Sequence, residues 1–109
     1  MARGNRRGYT GEQTRDHGNA EAERLTQLAQ KELEIGDWTE WKKGDWRKGL
    51  VAVLIRQRSL VDNGWLAERL AMGSRPAVSR MMREAREHLQ SNRKAKALGR
   101  HLEKQIDQT

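Results

Sequence analysis

The stretch "WLAERLAMGSRPAVSRMMRE", Trp65 to Glu84, forces the chain to turn a tight corner between two helices. Leu66 and Leu70 recur at helical spacing in its first part. In the second, Val78, Met81, Met82, Ala85 and then Leu89 fall within roughly a third of a helical circumference. Between the two runs Gly73 tolerates a positive φ and Ser74 can cap a helix. Pro76 suits a first helical turn, where its missing N–H has no intrahelical partner. No segment alternates with the period of a strand, so the expected fold class is all-α, a small domain of four to five helices.

The other helices follow from their caps and stripes. Asn19 is the expected cap of a helix running to about Glu34, with Leu25, Leu28, Ala29 and Leu33 on one side and Gly36 as its stop. Asp37 should cap a short turn in which Trp38 and Trp41 form a lid over the core, because indoles bury large area in small domains. Lys42, Lys43 and Gly44 end that turn. Asp45 should cap Trp46 to about Arg58, whose apolar face of Trp46, Leu50, Val53 and Leu54 is widened by Val51 and Ile55. That makes it the expected central buried helix. Asp62 is the expected cap of the helix that opens the corner. Beyond Ser91, Ala95, Leu98, Leu102 and Ile106 line up on an amphipathic tail that Gly99 weakens. Such a tail could dock on the body or on a second subunit, which leaves a homodimer through it open. The expected divisions are a disordered Arg/Gly-rich arm over 1–18, a helical domain over 19–91 and a basic tail over 92–109.

Charge says where a partner would sit. With 35% hydrophobic and 34% charged residues, the 109 residues are too polar to pack as one globule from end to end. The net charge is +7. Residues 1–18 carry four Arg against Glu12 and Asp16, residues 19–74 are balanced, and residues 75–109 carry nine Lys/Arg against Glu84, Glu87, Glu103 and Asp107. The excess lies at both ends, and a polyanion is its natural partner. The chain has no cysteine, and its longest apolar run, Leu50 to Ile55, is far too short to cross a bilayer. A cytoplasmic, nucleoid-associated protein with no membrane partner is expected.

Catalytic chemistry finds no foothold. His17, His88 and His101 are scattered and make no pair at metal-ligand spacing. Tyr9, the one tyrosine, has no basic residue held near it. No enzyme, cofactor or metal is expected.

A helix-turn-helix needs a small residue on its first helix, a turn that admits positive φ, and a second helix with one buried face and long polar side chains on the other. Ala67, Gly73, and Val78 with Met81 meet these needs in turn. Ser79, Arg80 and Arg83 should then face a DNA groove, with Arg75 at the rim of the first turn. Ser74 and the helix N-terminus could hold a phosphate. Lys42, Lys43 and Arg47 are further phosphate candidates, as are Arg93, Lys94 and Lys96. The inward apolar anchor is Val78, one position later than Ala77, where the commonest template would place it, so the turn is longer by a residue.

In this longer turn the segment resembles the DNA-binding domain of the bacterial replication initiator. A wider likeness covers Trp41 to Glu84: a Trp/Lys-rich opening over Trp41 to Lys48, Leu54 to Arg56 at a helix end, then "WLAERLAMGS" and "VSR". This pattern resembles the C-terminal module of REP-associated tyrosine transposase-like proteins. The resemblance implies an accessory DNA-binding module, with duplex or hairpin DNA as ligand and a separate catalytic partner protein. The family's catalytic domain, with its His-hydrophobic-His metal pair and nucleophilic Tyr, has no counterpart here, and Tyr9 lies upstream of the matching segment.

DNA binding is the leading expectation, as a transcriptional regulator or a transposition accessory. Two other classes stay open. An RNA- or ribosome-associated basic protein would rely on the Arg-Gly arm, and a helical interaction adaptor on the Leu98, Leu102, Ile106 stripe.

Overall fold

Six apolar side chains in a row, Leu50 to Ile55, cannot share one face of a helix, and all six are buried. The fold covers their helix on every side, as an all-round apolar helix requires. The structure, a computed structural model, describes the backbone of residues 11–108 and the side chains of residues 18–108. Among the described residues it is all-α, without a strand: α1 (Gly11–Glu32), a 3-10 turn (Trp38–Glu40), α2 (Trp46–Arg58), α3 (Asn63–Arg69), α4 (Arg75–Ser91) and α5 (Arg93–Gln108).

Helix α2 is the centre, with α1 and α4 packed against it and α3 against α4. Its Asp45 cap accepts from the Arg47 N–H, as expected. α2 and α4 approach so closely at Gly49 that a Cβ there would lie 2.4 Å from the Met81 carbonyl oxygen. The small residue that admits α4 is therefore Gly49 on α2, whereas Ala67 on α3 is only half-buried. Any side chain at position 49 would push backbone against backbone.

Trp38 is buried in the core and Trp41 packs edge-on against it, with ring centroids 5.9 Å apart. The pair is core material, as its size suggested.

Two expectations, on where α1 begins and on how it ends, are corrected. α1 extends back to Gly11, so Asn19 lies inside the helix and does not cap it. The expected arm over 1–18 falls outside the described residues for 1–10, and the backbone of 11–18 continues α1. Gly36 is not the left-handed stop of α1. That role falls to Glu34 at φ 57°. The Ile35 N–H reaches the Gln30 carbonyl at 3.2 Å and the Glu34 N–H reaches the Lys31 carbonyl at 3.1 Å, which closes the helix end with backbone bonds.

The tail docks on the body of its own chain. Asn92 caps α5 by accepting from the Ala95 N–H at 3.0 Å. Ala95, Leu102 and Ile106 are buried, and α5 packs on α4 and α1. Arg58 reaches Glu103 at 3.7 Å and Asp107 at 3.5 Å, and His101 meets Glu32 at 2.8 Å. The apolar stripe is thus used within the chain, and a homodimer through this tail would have to use its other residues.

Candidate nucleic-acid interface

The corner between α3 and α4 is built from local bonds first. Asp62 caps α3 by accepting from the Trp65 N–H at 2.9 Å. That bond, ahead of the nearby Arg75, holds its carboxyl below the usual aspartate range. The chain leaves α3 through two left-handed residues, Ala71 at φ 53° and Gly73 at φ 105°. Gly73 was legible as such a position. Ala71 was not, because an alanine there costs about 1 kcal/mol or more and needs support from elsewhere. Some of that support is local, since the Met72 N–H bonds the Ala67 carbonyl at 2.9 Å. Ser74 then caps α4 by accepting from the Ala77 N–H at 3.3 Å. Val78 and Met81 anchor α4 in the core, each at most 1% exposed.

The rest of the support comes from a residue that sequence reasoning passed over. Lys48 on α2 is 0% exposed. Its Nζ donates to the Ala71 carbonyl at 2.8 Å and to the Trp41 carbonyl at 3.1 Å. One ammonium therefore ties the loop before α2 to the loop after α3, where the C-terminal end of a helix favours a cation. Burial pushes the Lys48 amine below the usual lysine range, with Asp45 and Asp37 pulling the other way. The signal was available: Lys48 shares a helical face with Ala52 and Ile55, both buried.

The candidate contact residues divide into two groups. Arg47 is committed to the fold. Its guanidinium bonds both oxygens of Asp45, at 3.0 and 2.7 Å, and lies over the Trp41 ring at 3.7 Å from the centroid. The Asp45 bond holds the Arg47 pKa up and the Asp45 pKa down. Lys42 and Lys43 are exposed, and Lys43 lies along the corner, its Cδ 3.6 Å from where a Cβ on Gly73 would stand.

Ser74, Arg75, Ser79, Arg80 and Arg83 are all exposed, Ser79, Arg80 and Arg83 on the side of α4 away from Val78 and Met81, and Ser74 and Arg75 at its N-terminal end. Arg75 folds back over α3, where a Cβ on Gly64 would come within 2.8 Å of its Nε. Arg80 has one acidic neighbour, Glu84, at 4.0 Å across one helical turn. Such an exposed pair contributes at most about 1 kcal/mol. Arg83 has no ion pair among the described residues. Arg86, three positions on from Arg83 and also exposed, stands at the flank of this face beside Met82. Ser79 is not free to point anywhere. Its Oγ accepts from the Asn63 amide at 2.8 Å, and the Asn63 carbonyl oxygen accepts from Arg56.

Arg93, Lys94 and Lys96 are exposed at the start of α5. They lie beyond the far end of α4, about 25 Å from Ser74 at 1.5 Å per residue, so the fold does not bring them to the corner.

The result is a capped, cationic helix face, anchored in the core and flanked by a lysine-bearing loop. Among the described residues no cluster of three or more His, Asp or Glu is placed to hold a metal ion, and no helix is long and apolar enough to cross a membrane. Comparison with protein-family models, with curated proteins and with solved structures finds no match for this chain.

Proposed function

We propose that the chain is a DNA-binding protein that lays α4 into the major groove, with Arg80 and Arg83 toward base edges or phosphates and Ser74, Arg75 and Lys43 toward the backbone. One observation carries the reading. The face of α4 opposite its core anchors holds Arg80 and Arg83, with Glu84 and Glu87 beside them, and among the described residues the one carboxylate paired with either arginine is Glu84, at 4.0 Å. A helix that the core holds on one side and that presents cations on the other has the geometry that groove reading requires. Duplex DNA is the favoured ligand because a groove accepts a whole helix. Hairpin DNA, a transposition role beside a catalytic partner, or a regulatory role on the nucleoid are finer versions of the same reading.

The test is a double substitution. Arg80→Ala with Arg83→Ala should weaken binding to selected duplex or hairpin DNA by roughly 30-fold or more, at about 1–3 kcal/mol for each base-contacting Arg. The melting temperature should stay within a degree or two, since exposed substitutions rarely matter to stability. The unaltered protein, with about 4–6 phosphate contacts, should show a log–log salt slope of about −4 to −5. Unfolding of the double variant, or binding unchanged by it, overturns the reading.

A further inference from the structure

Beside the arginine face, α2, α3 and α4 meet at a shallow depression lined by Arg56, Asn63, Ser79, Met82 and Arg86. Met82, nearly buried, is its apolar floor. The rest of the lining is polar or cationic, with no carboxylate among it. Two guanidiniums, from the last turn of α2 and from the middle of α4, stand on this hollow.

Its polar groups are already ordered. Arg56 donates one N–H to the Asn63 carbonyl oxygen, and the Asn63 amide donates to Ser79 Oγ. This chain runs one way, from cation to hydroxyl. The Ser79 oxygen accepts, so its own O–H remains to be donated outward. Arg56 keeps its other guanidinium N–H groups, and Arg86 has no ion pair among the described residues. Asp62, next to Asn63 and within the field of Arg56, has its carboxylate engaged in capping α3. The hollow is therefore a set of donors with two positive charges and no acceptor aimed into it. An oxyanion with several acceptor oxygens is the chemical complement.

We propose that this depression seats one backbone phosphate of the bound nucleic acid, with Arg56 and Arg86 gripping its oxygens and Ser79 O–H donating a third bond. The proposal rests on the DNA reading above and deepens it: Ser79 serves the backbone and sets the register of α4, while Arg80 and Arg83, further round the helix, face the bases. Arg56, which the sequence offered as a helix-end residue and not as a phosphate contact, becomes a positioning residue for the groove contact.

The experiment pairs two measurements on the full chain. In the first, Arg56→Gln with Arg86→Gln is compared with the unaltered protein over a salt series on duplex DNA. The log–log slope should become shallower by about 1, and the affinity loss should be the same on the selected site and on scrambled sequence. In the second, inorganic phosphate is titrated into the DNA-free protein while the Asn63 side-chain amide and the Arg Nε–H signals are followed by NMR, with chloride at equal ionic strength as control. Those signals should move with phosphate, should not move with chloride, and should stay still in the double variant. An unchanged slope together with an Asn63 amide indifferent to phosphate overturns the seat, and so does an affinity loss confined to the selected site. If DNA does not bind at all, the DNA reading falls. The phosphate titration then decides the anion seat alone. If the seat variant behaves normally while Arg80→Ala with Arg83→Ala loses DNA, the seat falls and the DNA reading stands.

Discussion

Between Lys42 and Lys48 the chain places four cations, and between Arg75 and Arg86 it places four more. In the first group Arg47 is held by Asp45 and Trp41, and Lys48 is sunk beneath two backbone carbonyls. In the second, the tightest carboxylate contact is Arg80 to Glu84 at 4.0 Å. The difference comes from what surrounds each helix. The start of α2 is enclosed by the loops and helices around it, so a cation there finds its acceptors inside the protein, whereas Arg56, past Ile55, is exposed. α4 has one open side, so its cations stay in water. Positive charge alone does not locate a binding face. A cation is available to a ligand only if the fold has not already supplied its partner.

The comparison is broken most sharply at Lys48. Lys48→Ala should lower the unfolding free energy by about 3 kcal/mol, because it empties a buried volume and strips the partner from two carbonyls. Lys48→Met, which keeps the stem, should recover roughly half of that. Urea denaturation reads both, and a loss below about 1 kcal/mol for the alanine variant would mean that the ammonium does not hold the corner.

A mirror-image pair comes next. Arg47→Ala should lower stability by about 1 kcal/mol through its lost ring contact and ion pair. Its DNA affinity should change less than about twofold, since that guanidinium is engaged within the fold. Arg83→Ala should leave stability within about 0.5 kcal/mol and weaken binding roughly tenfold. Thermal melting and a DNA titration on the same two variants would expose an inverted pattern.

The smallest effect concerns a cation engaged from a distance. Arg69 on α3 bonds both oxygens of Glu23 on α1 at 2.7 Å, and that bond holds the Glu23 carboxyl below the usual glutamate range. A lowered folded pKa means that the unfolded chain takes up its proton first on acidification. The contribution is therefore complete above the unfolded glutamate value of about 4.3 and is lost as pH falls through the lower folded value. Both side chains are partly exposed, so solvent screening limits the effect to about 0.5 kcal/mol. Stability followed from pH 6 to pH 3 should fall by about that much more in the native chain than in Glu23→Gln.

Much of this protein could be read without coordinates. Asp37, Asp45, Asp62 and Ser74 all cap where they were expected to, because a cap bonds an N–H only two or three residues away. α2 was legible from its apolar run and the corner from Gly-Ser-Arg-Pro. The exposed row of Ser79, Arg80 and Arg83 followed from helical periodicity. That Arg47, a phosphate candidate in the sequence, is engaged by Asp45 and lies over the Trp41 ring could not be read from spacing, because it depends on how the loop before α2 folds against the helix. The left-handed Glu34 and Ala71 escaped notice because no side-chain type advertises a conformation that neighbouring packing imposes.

What the amino-acid sequence determined by itself is the set of helices, their caps and the corner that joins α3 to α4, all of which depend on neighbours within about one helical turn. Only the tertiary structure decided which cations are left over. Lys48 meets Ala71 across 23 positions and Arg69 meets Glu23 across 46, and such partners become neighbours only once the helices have packed. Burial then sets each charge's fate, since a cation out of water must be paired while one in water can wait for a ligand.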